Sequence, residues 1–409
     1  MGNKEIKVFT AFSGYDSQCL ALEKLGVEYD LIGWSEIDKS AIRAHNLLFP
    51  QYKDRNYGNI SKIDWSQVPD FDLFTYSSPC QDFSNAGLQR GGEEGSNTRS
   101  SLLWECRKAI LAKKPKYLLL ENVEALINKK FINLFNKWIS ELGEYGYTSY
   151  WQVLNAKNYG IPQSRNRVFL VSVLREDNDK FPIYHFPQKI ELKTKLINLL
   201  EDNVDVKYYL SKETIEKFLY IDKDNKVFYK DKEVRPNETF YWNTTLKFAN
   251  NSTKGGVSTC LKTDNAVAIL ECKPLKIIEK TKKGYAEAVE GDSVNISRIT
   301  CHKRRGRVGK GISNTITCAC DMGAVIKCEC ENNGVVGYEY RIRKLTPREC
   351  FRLMGVEDKY IDIIQNSGQI SENQQYKLAG NSIVVDVLVA IFNKLLVNKE
   401  NDFGSKSLF

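Results

Sequence analysis

The sequence contains no apolar run of membrane-spanning length and no hydrophobic segment typical of a signal peptide. These absences argue against a secreted or membrane-embedded protein, so we expect a cytoplasmic chain with no membrane partner. Its eleven cysteines should then be reduced, because disulfide bonds persist mainly in oxidising compartments. A thiolate is therefore available for chemistry or for binding a metal.

The first strand, turn and helix lack most of the glycines of a dinucleotide-binding fingerprint. Residues 6–12 form an apolar run that predicts a strand, and residues 18–25 carry apolar side chains at helical spacing. Gly14 stands in the turn between them, whereas Tyr15 and Asp16 occupy positions where further glycines would lie. A cradle for a pyrophosphate is therefore not expected, and a nucleoside-type cofactor without phosphates fits better. A helix cap at Ser13 or Asp16 is the structural alternative.

An acidic residue follows the second predicted strand at a spacing typical of ribose recognition. Residues 29–35 form that strand, and Glu36 comes directly after it. Its separation from Gly14 is about twenty residues, as for the carboxylate that binds a ribose in a nucleotide-binding βαβ unit. Taken alone, this spacing is a weak signal.

Two further apolar runs end in side chains that can carry chemistry. Residues 73–78 lead to Pro79 and Cys80, and residues 117–120 lead directly to Glu121. In an open α/β sheet the carboxyl ends of the strands form the edge that binds ligands, so the thiol and the carboxyl group should meet there. Cys80 in isolation is more simply explained as a small buried hydrophobe. Its place after a strand favours a nucleophile.

A thiol beside a carboxyl group suits chemistry on an electron-poor ring such as cytosine. A thiolate that adds to C6 turns the ring into an enamine, and C5 can then attack an electrophilic methyl group. A protonated carboxyl group can donate to N3 and so draw electrons through the ring. Arg165 and Arg167, in the segment Gln163-Ser164-Arg165-Asn166-Arg167, are candidates for the cations that keep the thiol ionised.

The chain is long enough for two lobes, and its composition changes near residue 186. Strands and helices alternate up to that point. Beyond it the apolar runs shorten and Lys, Asn and Asp become more frequent, before helical patterns return at residues 346–354 and 383–396. We predict an α/β catalytic domain at 1–186, a smaller and mostly β domain at 187–336, and a return segment at 337–409 that completes the first domain.

Four cysteines, at positions 318, 320, 328 and 330, form two C-x-C pairs. Thiolates at such spacing can hold zinc in a tetrahedral site, although zinc sites more often have two residues between paired cysteines. The alternative is a β-hairpin in which each pair lies on one face of its strand, with Cys328 and Cys330 on the returning strand. We expect no metal, and a metal assay on protein purified without chelator tests this.

Five motifs, in order along the chain, resemble those of the DNA (cytosine-5)-methyltransferases of prokaryotic restriction-modification systems and phages. They are Pro79-Cys80-Gln81, Glu121-Asn122-Val123, residues 163–167, residues 343–350 and Gly380-Asn381-Ser382. Each tripeptide is a weak signal, but together they are highly specific and cover most of the chain. The resemblance implies an α/β fold with a Rossmann-like methyltransferase sheet, helices on both of its faces, and a smaller target-recognition domain. It also implies S-adenosylmethionine as methyl donor and S-adenosylhomocysteine as product.

The resemblance further implies roles for individual residues. Cys80 resembles the nucleophile that adds to C6, and Glu121 resembles the proton donor to N3. Arg165 resembles the group that holds the flipped base by its O2 and a neighbouring phosphate, and Arg167 belongs to the same catalytic set. The implied cofactor-binding residues are Phe12, Gly14, Asp16, Glu36, Ile37, Asn59, Ile60, Leu102, Asn381 and Ser382.

Within that cofactor site, the resemblance implies that Phe12 stacks near the adenine and Glu36 accepts from the ribose hydroxyls. Ile37 should pack against the base. Asn59 stands where the family usually has an aspartate, and its carbonyl oxygen can still accept from the adenine amino group. Asp16 replaces a glycine of the family, where it could hold the ammonium group of the methionine moiety.

The implied substrate is double-stranded DNA, from which the target cytosine is flipped. The net charge of +8 and the basic cluster at residues 302–307 suit such a partner, because Lys and Arg displace condensed counterions. A solvated basic surface is the simpler explanation of charge alone. A glycine-containing loop at 85–92 is expected to close over the flipped base. The predicted DNA-binding residues are Gln81, Ser84, Arg304, Arg305, Arg307 and Thr315.

Three functions remain open: a site-specific DNA methyltransferase, a tRNA cytosine-5 methyltransferase, and a non-catalytic DNA-binding protein of the same fold. The long basic region favours DNA, because the narrow major groove of an RNA duplex offers such a domain little to read. Intact Cys80, Glu121 and Arg165 favour an enzyme. We expect a monomer in a bacterial or phage-infected cell, and a cognate restriction endonuclease could act on the same site without a stable complex.

Overall fold

The computed structural model describes residues 5–78, 99–176, 181–211, 214, 227–229, 232–234, 274–297, 305–319, 321–332, 335–397 and 403–404. The chain divides into two compact units. The first contains Met1–Thr194, Thr315–Ala319 and Pro347–Phe409, and the second contains Lys195–Asn314 and Cys320–Thr346. The short segment Thr315–Ala319 thus belongs to the first unit, although the chain on both sides of it belongs to the second.

The first unit is built on a mixed sheet. Its strands are β1 (Ile6–Ala11), β2 (Tyr29–Ser35), β3 (Leu73–Tyr76), β4 (Tyr117–Val123), β5 (Tyr147–Asn155), β6 (Gln163–Ser164), β7 (Asn166–Leu174) and β8 (Phe181–Pro182). Six of them form one sheet in the order β2-β1-β3-β4-β7-β5. β1 to β4 run parallel, whereas β7 and β5 are antiparallel to their neighbours. Every residue of β3 is buried, as in a parallel strand covered on both faces, which explains its continuous apolar sequence.

The helices of the first unit alternate with the strands, as predicted, as far as β5. They are α1 (Ser17–Leu25), α2 (Lys39–Leu48), α3 (Cys106–Lys113), α4 (Ile132–Glu144), α5 (Pro347–Arg352), α6 (Asp358–Asn366), α7 (Glu372–Asn381) and α8 (Val385–Phe392). Short 3-10 helices lie at Pro50–Arg55, Ile60–Lys62, Arg99–Glu105, Glu124–Ile127 and Ala156–Tyr159, and a π-helical turn at Asn393–Val397 follows α8. In α4, Phe135, Trp138 and Leu142 lie on one face and are fully buried, the pattern of an amphipathic helix.

The end of β3 is held by an aromatic core. The rings of Phe9 and Trp65 are 5.1 Å apart, and those of Phe74 and Tyr76 are stacked at the same distance. The Trp138 indole N–H donates to the Tyr76 hydroxyl at 3.2 Å. Packed aromatic pairs add about 0.5–1.5 kcal/mol each beyond the area that they bury. The strand that leads toward Cys80 is therefore fixed at its last residue.

One stretch, Glu372–Val397, is long and apolar enough to cross a membrane by length and composition, contrary to the expectation that no such run exists. Leu388, Ile391 and Phe392 within it are fully buried in the protein. A core helix of a soluble protein passes the same test, so a single stretch of this kind is weak evidence for a membrane.

The second unit is mostly β structure. Its strands are β9 (Val227–Tyr229), β10 (Lys232–Val234), β11 (Leu275–Ile278), β12 (Tyr285–Ala288), β13 (Ser293–Asn295), β14 (Val308–Gly309), β15 (Ser313–Asn314), β16 (Met322–Asn332) and β17 (Val335–Lys344); short 3-10 helices lie at Leu196–Leu199 and Val206–Tyr208. Four strands form a sheet in the order β14-β13-β16-β17. Its small core consists of Ile277, Ala288, Val294, Val325 and Ile342. In the first unit, β18 (Phe403–Gly404) pairs with β8.

The structure corrects the predicted hairpin between the two cysteine pairs. Cys318 lies in a turn rather than in a strand, and Cys328 lies on β16 opposite Glu339 of β17. The strand that pairs with Cys328 is thus the one that follows it, not the chain around Cys318. Cys320 lies outside the described residues. Among the residues that are described, no group of three or more metal-binding side chains is found.

Candidate active site

β3 and β4 bring the segment before the predicted nucleophile and the predicted acid to one edge of the sheet. Glu121 is buried near the end of β4. The next residue, Asn122, donates from Nδ2 to the carbonyl oxygen of Ser78 at 3.1 Å and to its Oγ at 3.3 Å. Ser78 is the last described residue before Cys80. Cys80, Gln81, Ser84 and the predicted loop 85–92 lie outside the described residues.

Glu121 and Arg167 form a close pair across β4 and β7. The antiparallel register places Arg167 opposite Val123, and its Nε lies 3.1 Å from Glu121 Oε1. Burial raises the pKa of Glu121, and the opposing effects of Arg167, Arg165 and Ser77 do not cancel that increase. The carboxyl group therefore keeps its proton to higher pH than an exposed glutamate does, as a proton donor requires.

Arg165 has a different environment from Arg167, although a single residue separates them. It is 3% exposed, and its guanidinium group donates to the carbonyl oxygens of Ile316, Gly380 and Ser382 at 3.1, 3.0 and 2.8 Å. These contacts make Arg165 a brace between chain segments that are distant in the sequence. They favour Arg167 as the arginine beside the reacting groups, and the base contact of Arg165 stays a prediction.

The predicted residues Thr315 and Asn381 lie beside this brace. The Thr315 hydroxyl donates to the carbonyl oxygen of Ser164 at 2.8 Å, and the Cys318 thiol lies 2.8 Å from Asn381 Oδ1. A Cβ on Gly380 would lie 2.6 Å from the Cys318 nitrogen, so a side chain at this position would force the two backbones apart. The end of α7 and the segment Thr315–Ala319 thus pack backbone to backbone.

β1 and β2 end side by side and form the predicted cofactor edge. The Gly14 N–H donates to Glu36 Oε2 at 3.0 Å, and the N–H groups of Ile37 and Asp38 donate to Oε1 at 2.7 and 2.8 Å. Three backbone donors therefore fix the Glu36 carboxylate, whose remaining lone pairs can accept from hydroxyl groups. Phe12 and Gly14, in the turn that follows β1, have the left-handed φ angles of 56° and 61°.

Four other predicted cofactor residues differ in exposure. Ile37 is 67% exposed, which is unusual for a large apolar side chain next to a fixed carboxylate. Asn59 is exposed, and its Oδ1 accepts from the N–H of Ser61 at 3.0 Å. Ile60 is buried in the core and Leu102 packs against that core, so Ile60 can offer a ligand only its backbone. Of these side chains, Ile37 is best placed to cover a flat apolar ring.

Asp16 caps the N-terminus of α1, as the structural alternative for this residue predicts. It is fully buried with a φ angle of 68°. Its Oδ1 accepts from the Cys19 N–H at 3.2 Å, and its Oδ2 accepts from the Thr10 hydroxyl at 2.7 Å. These contacts do not support the interpretation of Asp16 as a ligand of an ammonium group, because no part of the residue is exposed.

The structure also corrects the interpretation of Arg307 as a DNA contact. Arg307 is fully buried, and its guanidinium group donates to three backbone carbonyl oxygens at 2.9, 3.1 and 3.2 Å. Arg305 is exposed, as a DNA contact requires, and Arg304 lies outside the described residues. Neighbouring arginines look alike in the sequence, but buried backbone carbonyls from other strands decide which of them turns inward.

Two polar residues, Asn122 and Gln163, have structural roles that were not predicted from the sequence. Asn122 holds Ser78, which precedes the predicted nucleophile Cys80. Gln163 donates from Nε2 to the Leu353 carbonyl oxygen at 2.6 Å, and its Oε1 accepts from the Ile316 N–H at 3.3 Å. Both belong to motifs quoted for the family resemblance. A polar side chain at the end of a buried apolar run is the signal that could have identified Asn122, because buried polar groups need partners.

The chain is similar to known proteins over nearly its whole length. Residues 6–397 match a family model described as C-5 cytosine-specific DNA methylase. The chain is 31% identical to the Type II methyltransferase M2.ScrFI of Lactococcus lactis subsp. cremoris, over 95% of this chain and 99% of that protein. It is 30% identical to the orphan methyltransferase M.SPRI of Bacillus phage SPR, over 97% of this chain and 100% of that protein.

Solved structures show the same fold. The Dnmt2 methyltransferase of S. pombe has a TM-score of 0.55 at 16% identity, over 97% of this chain and 100% of that chain. The Entamoeba histolytica methyltransferase EhMeth has a TM-score of 0.56 at 16% identity, over 96% of this chain and 98% of that chain. These likenesses concern the fold and confirm the predicted α/β methyltransferase class. The family match over nearly the whole chain, with the relatives at 31% and 30% identity, establishes that this protein belongs to the C-5 cytosine-specific DNA methylases and is a DNA cytosine methyltransferase.

Proposed function

We propose that this protein methylates C5 of a cytosine within a specific sequence of duplex DNA, with S-adenosylmethionine as methyl donor and Cys80 as covalent nucleophile. The observation that carries the proposal is the buried Glu121 paired with Arg167 at the carboxyl end of β4. The adjacent Asn122 holds the chain that leads to Cys80. An acid and a thiol at neighbouring strand ends are what addition to a cytosine ring requires.

Glu121 is the proton donor in this proposal. As the Cys80 thiolate forms a bond to C6, electrons move toward N3, which takes the proton of the Glu121 carboxyl group. The raised pKa of Glu121 keeps that proton available. Arg167 orients the carboxyl group and stabilises the carboxylate that remains, because its Nε lies 3.1 Å from Oε1. Once C5 carries the methyl group, N3 returns its proton to the Glu121 carboxylate. Loss of the C5 proton to water, with cleavage of the C6–S bond, then restores the aromatic ring and the thiolate.

The edge formed by β1 and β2 fits S-adenosylmethionine. Glu36 accepts from the ribose hydroxyls, because its carboxylate is fixed by backbone N–H groups. The exposed Ile37 covers one face of the adenine, and Asn59 reads its amino group. When bound, the cofactor supplies an electrophilic methyl group to C5 and leaves as S-adenosylhomocysteine. No metal is required for this chemistry.

The second unit is the target-recognition domain in this proposal. Its exposed Arg305 contacts the DNA, and Thr315 in the first unit positions the segment next to the flipped base. Flipping costs a few kcal/mol of unstacking, which contacts inside the pocket must offset. We further propose a cytoplasmic monomer. A cognate endonuclease, if one exists, would act on the same site without a stable complex.

Covalent trapping tests this function directly. DNA that carries 5-fluorocytosine at the target position accepts the thiolate and the methyl group, but a C–F bond at C5 prevents elimination. We expect a complex of protein and DNA that survives denaturing electrophoresis and forms only with S-adenosylmethionine present. Because the target sequence is not known, a pool of duplexes with 5-fluorocytosine in random contexts is the appropriate probe.

Matched variants identify the groups involved. Cys80→Ala should form no covalent complex, because the nucleophile is absent, while it still binds S-adenosylhomocysteine. A Cys328→Ala protein, which removes a half-buried thiol on β16, should trap as the unmodified protein does. Trapping by Cys80→Ala, or trapping on tRNA with none on DNA, contradicts the proposal.

A further inference from the structure

Two buried side chains, Asp16 and His45, take no part in the chemistry proposed above. Both residues are 0% exposed, and His45 Nε2 lies 3.5 Å from Asp16 Oδ2. The Thr10 hydroxyl donates to the same carboxylate oxygen at 2.7 Å. A carboxylate in the protein interior is costly unless it is paired and hydrogen-bonded. With Thr10, the pair thus joins β1, the start of α1 and the last turn of α2 in one buried polar cluster.

This cluster lies directly behind the turn that links β1 to α1. Phe12, Gly14 and Asp16 all have φ angles between 56° and 68°, so three alternate residues of the turn are left-handed. For residues other than glycine this conformation costs about 1–3 kcal/mol and persists only where the surroundings enforce it. The Asp16 carboxylate supplies such enforcement, because it also accepts from the Cys19 N–H at 3.2 Å.

His45 connects the turn to the other half of the cofactor edge. Its ring stacks on the Trp34 indole, with centroids 3.7 Å apart and planes 19° from parallel. Trp34 belongs to β2, which ends one residue before Glu36. The Gly14 N–H in turn donates to the Glu36 carboxylate at 3.0 Å. Asp16 and His45 therefore contact both strands, β1 and β2, whose ends carry the residues proposed to bind the cofactor.

We propose that Asp16 and His45 are positioning residues for S-adenosylmethionine: their contact holds the β1–α1 turn in the conformation that sets Gly14 against Glu36. This inference rests on the proposed function of that edge. The effect is on cofactor affinity, because Glu121 and Arg167 stand on β4 and β7. Loss of either partner should raise the KM for S-adenosylmethionine and leave kcat nearly unchanged.

Two substitutions remove the contact with little change of shape. Asp16→Asn keeps an oxygen that caps α1 and tolerates the left-handed backbone, but removes the carboxylate charge. His45→Phe keeps an aromatic ring on Trp34 but removes the ring nitrogens. Asp64→Asn is the matched control, because Asp64 also accepts from a backbone N–H, at Ser66, and lies outside the cluster.

The experiment is a double-mutant cycle on the full chain, with S-adenosylhomocysteine binding measured by calorimetry. We expect each single variant to weaken binding about tenfold, and the double variant to be no weaker than the weaker single variant, because both remove one shared contact. The kcat at saturating S-adenosylmethionine should stay within about threefold of the unmodified protein. Asp64→Asn should bind as the unmodified protein does.

Other outcomes separate this inference from the proposed function. If the unmodified protein binds no S-adenosylhomocysteine, the proposed function fails and this inference fails with it. If it binds but the variants bind equally well, or if their effects simply add, the inference alone is overturned. Where a variant does not fold, Thr10→Val removes one hydrogen bond to Asp16 with almost no change in shape. Unchanged binding by Thr10→Val and by whichever single variant folds overturns the inference.

Discussion

Two parts of the central sheet carry the proposed function: the cofactor edge at β1 and β2, and the catalytic edge at β4 and β7. Different groups hold the key carboxyl group at each edge. At the ends of β1 and β2, backbone N–H groups hold Glu36, and the residue that follows it, Ile37, is exposed. At the ends of β4 and β7, side chains hold one another, and Glu121 is buried beside Arg167. In the proposed function, the fixed backbone at the cofactor edge positions Glu36 for the cofactor, whereas burial at the catalytic edge favours the protonated form of Glu121.

This difference follows from what each edge must do. A bound nucleoside needs fixed acceptors and an apolar surface, which a rigid turn and an exposed Ile37 provide. A proton donor needs an environment that favours its neutral form, which burial provides for Glu121. Substitutions at the two edges should therefore change different kinetic constants.

The largest effect is expected for Glu121→Gln. The amide cannot transfer a proton to N3, so kcat should fall about 10²- to 10⁴-fold. The affinity for S-adenosylhomocysteine should not change, because the cofactor edge is untouched. Single-turnover methylation and calorimetry measure the two quantities. A comparable loss of cofactor affinity would contradict the separation of the edges.

Arg165→Met should affect stability more than chemistry. Its guanidinium group is buried and donates to three backbone carbonyls, so its removal leaves them unsatisfied. We expect the free energy of unfolding to fall by about 3 kcal/mol or more. Chemical denaturation, with Arg167→Met as the matched variant, measures this loss. Equal destabilisation by the two variants would show that Arg165 is not the special brace inferred here.

Arg167→Met should show the reverse pattern. It removes the cation beside Glu121 but leaves the brace intact, so stability should change little. We expect kcat to fall about 100-fold, as for other groups that stabilise charge in a transition state. Rapid-quench kinetics on folded protein measures the change. An unaltered kcat would mean that Arg167 does not orient the acid.

The pH dependence of methylation should report Glu121. Its pKa is raised, so the protonated form persists above the usual glutamate range and is lost as the pH rises through that higher value. In that region the acid's contribution to the single-turnover rate should fall about tenfold per pH unit. This fall of the rate with rising pH should be absent in Glu121→Gln, because the residual rate of that variant does not depend on a proton from Glu121. If the same fall persists in this variant, it reports the titration of another group, and the prediction for Glu121 is wrong.

The smallest effect is expected for Ile37→Ala. An exposed residue contributes little to folding, so the free energy of unfolding should not change. Loss of its contact with the adenine should weaken S-adenosylhomocysteine binding about tenfold, or roughly 1.5 kcal/mol. Ile190→Ala, at another exposed isoleucine of the first unit, is the control and should bind normally.

The sequence predicted those parts of the fold that depend on local pattern. β2 was placed at its observed bounds, Tyr29–Ser35, because its mainly apolar segment stops where the acidic Glu36 follows. Arg165 and Arg167 could not be told apart in this way. The partners of Arg165 lie 151 to 217 residues away, and no local pattern shows which guanidinium group meets them.

The same limit explains the errors at Asp16 and Arg307. Each was interpreted as a ligand contact because its charge lies in a suggestive segment. Asp16 is instead buried by Thr10 and His45, and Arg307 by carbonyl groups of other strands. A charged residue in a motif can therefore serve the scaffold of the site as well as its ligand.

The most direct test of the central claim is bisulfite sequencing of unmethylated plasmid DNA after incubation with the protein and S-adenosylmethionine. Cys80→Ala and Glu121→Gln proteins should be run in parallel. The account predicts cytosines protected in one short recurring context, no protection with Cys80→Ala, and much slower protection with Glu121→Gln. An absence of protected cytosines with folded protein that binds the cofactor would contradict it.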